Sequence, residues 1–100
     1  MPRNTTSSMF YYVYVLESLK DQNRYIGYTN NLKRRLVEHK LGKSSSTKFG
    51  LPFKLIYFEG CINMEDAKRR EQYLKTTQGR RFIGLRLIEY KRYQPFGSGS

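Results

Sequence analysis

Six residues stand out in this chain for the chemistry their types and spacing could support: two tyrosines, a glycine, an arginine, a histidine and a glutamate. Tyr14 and Tyr25 lie in two short runs, Tyr12-Val13-Tyr14 and Tyr25-Ile26-Gly27, both rich in strand-forming residues. If the runs pair as an antiparallel hairpin, the two rings share a face, and Gly27 leaves that face open to a ligand backbone. Packing in a core is the better reading for any one of the nine tyrosines. A pair beside a glycine, ahead of a basic helix, tips the balance towards a site. Arg35 and His39 stand one helical turn apart on that helix. A guanidinium presents a donor fork to phosphate oxygens, and an imidazole can accept a tyrosine proton or bond a phosphate. Lys33, Arg34 and Lys40 read as a solvated face of the same helix.

Glu71 is the odd member of its stripe. Met64, Ala67, Glu71 and Leu74 recur at spacings of three and four, where an apolar residue is expected each time. A carboxylate in that place is either paired with a neighbouring base, the commoner case, or binds a cation. One carboxylate with waters and substrate phosphate oxygens is an ordinary ligand set for magnesium. Without an Asp/Glu cluster, the chain suits chemistry with one metal, not a protein-built pair. His39 is the only histidine and Cys61 the only cysteine, so a His-rich or Cys-based metal cluster and an intramolecular disulfide are excluded. Cys61 reads as a small buried or half-buried thiol.

The elements that must position these residues follow from pattern. Residues 9–16 are apolar or aromatic at both parities, which predicts a central strand with Tyr12, Tyr14 and Leu16 on one face. A polar turn at 18–23 leads to a second strand at 24–29, with Tyr25, Gly27 and Thr29 on one face. Asn30 or Asn31 caps a helix to about Leu41, stopped by Gly42, with Leu32 and Leu36 on its apolar stripe. A loop at 43–50 and a third strand at 53–59 come next. Asn63, with Asp66 three residues on, caps a helix to about Thr76. Gln78-Gly79 breaks the pattern before a basic helix whose apolar contacts come from Phe82, Leu85 or Arg86, and Leu87 to Ile88. The expectation is an α+β fold, order β-β-α-β-α-α, with a small three-stranded antiparallel sheet flanked by helices. It forms one domain over residues 9–93, between a flexible arm at 1–8 and a flexible, linker-like tail at 94–100.

Charge narrows the partner. Nineteen Lys and Arg against eight Asp and Glu give a net charge of +11. Of the cations, only Arg3, Lys20 and Arg24 precede residue 30, so the excess is concentrated. Nucleic acid is the first expectation and an anionic membrane surface the second, but no long amphipathic helix supports the latter. No apolar run nears bilayer length, and the N-terminus lacks a signal-type hydrophobic region, which points to a cytoplasmic protein.

The residues in this order resemble the GIY-YIG nuclease superfamily, closest to small single-domain members related to the nuclease module of the repair protein UvrC. Tyr12-Val13-Tyr14 stands for the first motif element and Tyr25-Ile26-Gly27 matches the second. Residues 32–39 (LKRRLVEH) match the helix whose arginine falls at Arg35 and whose histidine falls at His39. Residues 67–71 (AKRRE) match the helix carrying the metal-binding glutamate, at Glu71. The likeness spans roughly residues 10 to 90. Two positions depart from the pattern: Tyr12 replaces a glycine, and a late asparagine has no counterpart beyond Gln78. The resemblance implies a DNA endonuclease using one divalent metal, magnesium or manganese, held by Glu71. Arg35 would steady the phosphate, and Tyr14, or else Tyr25, would take the proton of the attacking water, helped by the nearby positive charges or by passing its own proton to His39. Gly27, Thr29, Lys43, Thr47, Lys48, Arg80 and Arg81 would contact the nucleic acid. The rival from another class is a basic, non-catalytic nucleic-acid module of a repair or recombination complex.

Overall fold

The structure is a computed structural model that describes residues 9–93; the expected arm at 1–8 and tail at 94–100 lie outside them. Strand β1 (Tyr11–Ser18) is the middle of a three-stranded antiparallel sheet, between β2 (Arg24–Thr29) and β3 (Phe53–Cys61). Both of its faces are covered, as its pattern predicted. Val13 and Val15 are buried on one side, and Tyr14 and Leu16 on the other. β1 starts two residues later than expected and ends two later, because Ser18 belongs to the strand. Its buried hydroxyl donates to the Gly50 carbonyl and accepts from the Lys20 N–H.

Helix α1 (Leu32–Lys40) lies over the Tyr14 face. Asn31 caps it by accepting the Arg34 N–H, and Gly42 takes the left-handed conformation (φ +73°) just past its end. A short 3-10 turn, Lys48–Gly50, precedes β3. Helix α2 (Met64–Leu74) covers the other face, with Ala67 and Leu74 fully buried against Val13 and Val15. Met64, at the first position of α2, is exposed; the buried stripe begins one turn later. Asn63 caps α2 through the Glu65 N–H. Asp66, expected to complete the capping box, instead pairs with Arg69.

The C-terminal stretch departs most from expectation. Gln78-Gly79 does not break a helix but opens one: α3 (Thr77–Arg86) starts on the Thr76 cap, whose hydroxyl accepts the Gly79 N–H. The break falls at Leu87, and a short α4 (Ile88–Arg92) follows. Ile83 supplies the buried contact of α3, with Phe82 and Leu87 beside it, while Leu85 and Ile88 are exposed. Gly79 is needed for packing rather than for turning. A Cβ there would run into the Tyr73 carbonyl and the Leu74 backbone, so α2 and α3 touch at main-chain distance. Gly79→Ala should therefore cost ~3 kcal/mol, because no rotamer change relieves a backbone clash. The expected result is a fall in Tm of roughly 15 °C in a circular-dichroism melt. A fall of a degree or two would show that the helices part freely.

At the far end, the buried Glu17 is satisfied by Arg24 across the hairpin (3.1 Å) and by the Tyr90 hydroxyl of α4 (2.5 Å). Cys61 is half-buried, as expected of a lone thiol. Among the described residues no helix is long and apolar enough to cross a membrane.

Candidate active site

Tyr14 sits at the centre. Across the hairpin it pairs with Gly27, and its ring lies over that glycine: a Cβ at 27 would come within 2.6 Å of the Tyr14 oxygen. The space that the sequence left for a ligand backbone is filled by the tyrosine itself. Tyr25 shares the face, paired with Leu16, its ring edge-on to Phe53 at 5.1 Å between centroids.

α1 brings two further groups onto the Tyr14 hydroxyl. His39, the buried residue of α1, places Nε2 at 2.9 Å from the oxygen. Arg35 places Nε at 3.4 Å. A guanidinium only donates, so the Tyr14 oxygen accepts from Arg35, while the direction of its bond to His39 is set by the imidazole tautomer. With the imidazole proton on Nδ1, Nε2 accepts the Tyr14 proton. Nδ1 lies 2.7 Å from the buried Thr47 hydroxyl, to which it donates in that tautomer. The result is a hydrogen-bonded chain, Arg35 to Tyr14 to His39 to Thr47. Glu38 takes Nη1 of Arg35 at 2.9 Å, and the buried Ser44 lies 3.4 Å from Nη2.

Burial shapes both titrating groups in the chain. It pushes the Tyr14 hydroxyl above the usual tyrosine range, a rise that Arg35 opposes and that Glu71 and Glu38 reinforce. Burial also pulls His39 below the ordinary imidazole range, and the Arg35 charge pulls it further. Both shifts favour the uncharged pair, tyrosine with neutral imidazole. The expectation that nearby positive charge lowers the tyrosine thus meets an environment in which desolvation prevails.

These groups line a cavity of about 440 Å³ that wraps the outer edge of β2. It gathers Tyr14, Tyr25, Gly27, Arg35, His39, Thr47, Glu71 and Arg80, eight of the residues the sequence had marked. Glu71 reaches it from α2 with a mostly shielded side chain, 13% exposed, bonded to Lys75 at 3.1 Å and to Gln72 at 3.0 Å. Both partners are exposed neighbours on the same helix, so their hold is weak and displaceable. Among the described residues no three His, Cys, Asp or Glu side chains converge. The donor set therefore fits a cation that keeps most of its ligands as water and phosphate oxygen, with Glu71 as the protein ligand.

The remaining expectations fall elsewhere. Thr29 is buried, and its hydroxyl accepts the Asn31 N–H, shaping the junction into α1. Thr47 holds the histidine. Lys48 lies over the Phe49 ring, and Lys43, Lys48 and Arg81 are exposed outside the cavity lining. Sequence reasoning passed over Ser44, Ser46 and Lys75. Lys75 had a signal, since it follows Glu71 by one helical turn. The serines had none, because a run of three reads as loop.

The cavity thus joins a central strand tyrosine under a helical Arg–His pair to a glutamate brought in from a second helix. The GIY-YIG catalytic domain family matches residues 10–83, and the chain belongs to that family. Nucleic-acid binding comes with it. The chain is 42% identical over 82 residues to a UPF0213 protein of Oceanobacillus iheyensis, covering 81% of this chain and 92% of that one. It is 37% identical over 87 residues to a UPF0213 protein of Clostridium perfringens, covering 83% and 92%. The NMR structure of a UPF0213 protein from Bacillus halodurans is 30% identical over 92% of this chain and 95% of its own, with a TM-score of 0.48.

Proposed function

We propose that the protein is a DNA endonuclease that hydrolyses phosphodiester bonds with one divalent cation, magnesium or manganese, held by Glu71. The observation that carries the reading is the hydrogen-bonded chain from Arg35 through Tyr14 to His39, facing the same cavity as Glu71. The cation, when bound, supplies Lewis acidity at the scissile phosphate and the leaving oxygen. The chain's own residues supply the rest. Arg35 meets a phosphate oxygen and the charge that grows on it, after exchanging its bond to Glu38 for the substrate. Tyr14 takes a proton from the attacking water as it passes its own to Nε2 of His39. Thr47 keeps the Nδ1 proton in place, so the imidazole presents its lone pair to Tyr14. Tyr25, Arg80 and Lys75 bound the cavity and orient the backbone. The water oxygen bonds to phosphorus, the bond to the sugar oxygen breaks, and that oxygen takes a proton from solvent, to which the His39 imidazolium later releases its own.

Neutralising the Glu71 carboxylate removes one of the causes that hold Tyr14 above its usual range, which makes proton transfer easier once the site is filled. A second reading has its own support: Arg35 with Glu38 and Glu71 with Lys75 are already paired, as in a non-catalytic basic module. A plasmid-nicking assay separates the two. Relaxation of supercoiled DNA in magnesium, abolished by EDTA, is expected. Binding without any relaxation across duplex, flap and bubble substrates overturns the enzymatic reading.

A further inference from the structure

The sheet face that carries Tyr14 continues, on the far side of α1 from the cavity, into an uncovered aromatic patch. Tyr12 stands two residues before Tyr14 on β1, and Phe58 is the β3 partner of Tyr14. The Tyr12 ring has Phe58 at 6.1 Å and Phe10 at 6.4 Å between centroids, the latter tilted by 32°. Gly60, opposite Tyr12, leaves room for both the Tyr12 and Phe10 rings. Phe10 is 38% exposed and Phe58 52%. Tyr12 and Phe58 also line a groove of about 480 Å³ together with Leu32 and Leu36 of α1, with Asn30, Asn31 and Lys33 as its polar members. The rings are therefore presented beside amides and a cation, and not buried under another element.

We infer that this groove is a second nucleic-acid subsite that takes unpaired nucleotides, their bases stacking on Phe10, Tyr12 and Phe58 while Lys33 meets the backbone. Three observations choose this occupant. Every base offers a flat face to an aromatic ring, and the groove offers rings with polar groups at one rim. Among the described residues no carboxylate lines the groove and Lys33 has no ion-pair partner, so its charge is available to a phosphate. A net charge of +11 draws a polyanion and opposes a second copy of the same chain. The path between the sites is short: residues 26–28 of β2 line the cavity, and residues 30–33, directly following, line the groove. The substrate class that follows is nucleic acid with unpaired nucleotides next to the cut, such as a flap or fork, more than uninterrupted duplex.

The inference rests on the nucleic-acid reading of the domain but not on catalysis, so its test is binding in EDTA. Fluorescence anisotropy would compare a labelled oligothymidylate with a blunt duplex of matched length at fixed salt. The double variant Phe10→Ala/Phe58→Ala should lose at least about fivefold in single-strand affinity and little for duplex, because stacking acts on unpaired bases. Phe58→Tyr keeps a ring and should retain affinity. Phe58→Leu keeps an apolar side chain without the ring and should lose it, which covers the case of a poorly folded double variant. Equal losses on both substrates, or none, would overturn the subsite. So would sedimentation showing a wild-type dimer that Phe58→Leu dissociates, since a second copy would then cover the patch. A negative nicking assay leaves this result untouched.

Discussion

Glu71→Ala is expected to abolish cleavage in magnesium while leaving DNA affinity unchanged or slightly higher. Among the described residues Glu71 is the one carboxylate lining the cavity; in the proposed reading it would hold the cation, whose Lewis-acid assistance at a phosphoryl centre contributes several kcal/mol. Losing ~4 kcal/mol of it corresponds to a rate roughly a thousandfold lower. The fold should survive. Glu71 is partly exposed, and its ion pair with Lys75 is an i,i+4 contact on one helix, which contributes ~0.5 kcal/mol. Affinity should hold because the change removes a negative charge from a surface that must meet phosphates, and it frees Lys75 as it does so. Nicking rates and anisotropy on the same preparation check both halves. Cleavage retained near the wild-type rate would sink the assignment of Glu71 as metal ligand. Equal loss of cleavage and binding, with a lowered Tm, would show that the residue is structural.

Why Glu71 was legible and Thr47 was not is a matter of what pattern can carry. Glu71 interrupts an apolar stripe, so periodicity exposes it. Tyr14, Tyr25 and Gly27 stand in strands whose alternation fixes which residues share a face, and the hairpin register then sets Tyr14 against Gly27 as the pattern requires. What pattern does not carry is the third dimension of a ring. The sequence shows that position 27 lacks a side chain, but only the packed structure shows that the neighbouring tyrosine occupies the gap. Thr47 lies in a loop of small polar residues, where no periodicity distinguishes a surface hydroxyl from one buried against an imidazole. It was expected to grip the backbone, and the structure buries its hydroxyl 2.7 Å from Nδ1 of His39. The start of the helix after α2 was misplaced for another physical reason. Glycine was read as a breaker at 79, whereas the close approach of α2 demands a residue without Cβ inside the first turn of α3. That demand comes from a partner helix and leaves no local mark.

Tyr14→Phe should lower the rate by about a hundredfold to ten-thousandfold, the range of a lost general base. The ring still fills the space over Gly27, so the variant should fold. The equivalent change at Tyr25, whose ring rests on Phe53 and whose hydroxyl is outside the hydrogen-bonded chain, should cost far less. A severe defect in Tyr25→Phe with an active Tyr14→Phe would exchange the two roles. His39 links this prediction to pH. Only the neutral imidazole can accept the Tyr14 proton, and His39 sits below its ordinary value of about 6.5. Activity should therefore persist below pH 6.5 and fall only as the buried imidazole finally protonates. Stability follows the same group with a definite sign. Below about pH 6.5 the unfolded chain takes up a proton that the folded chain refuses, so stability is complete above that value and declines as pH falls towards the folded pKa. A melt series from neutral to mildly acidic pH should show that slope in the wild type and a shallower one in His39→Asn. If the wild-type activity limb lies above pH 6.5, or the two melt series run parallel, then His39 is not the buried neutral acceptor on which the Tyr14 relay depends.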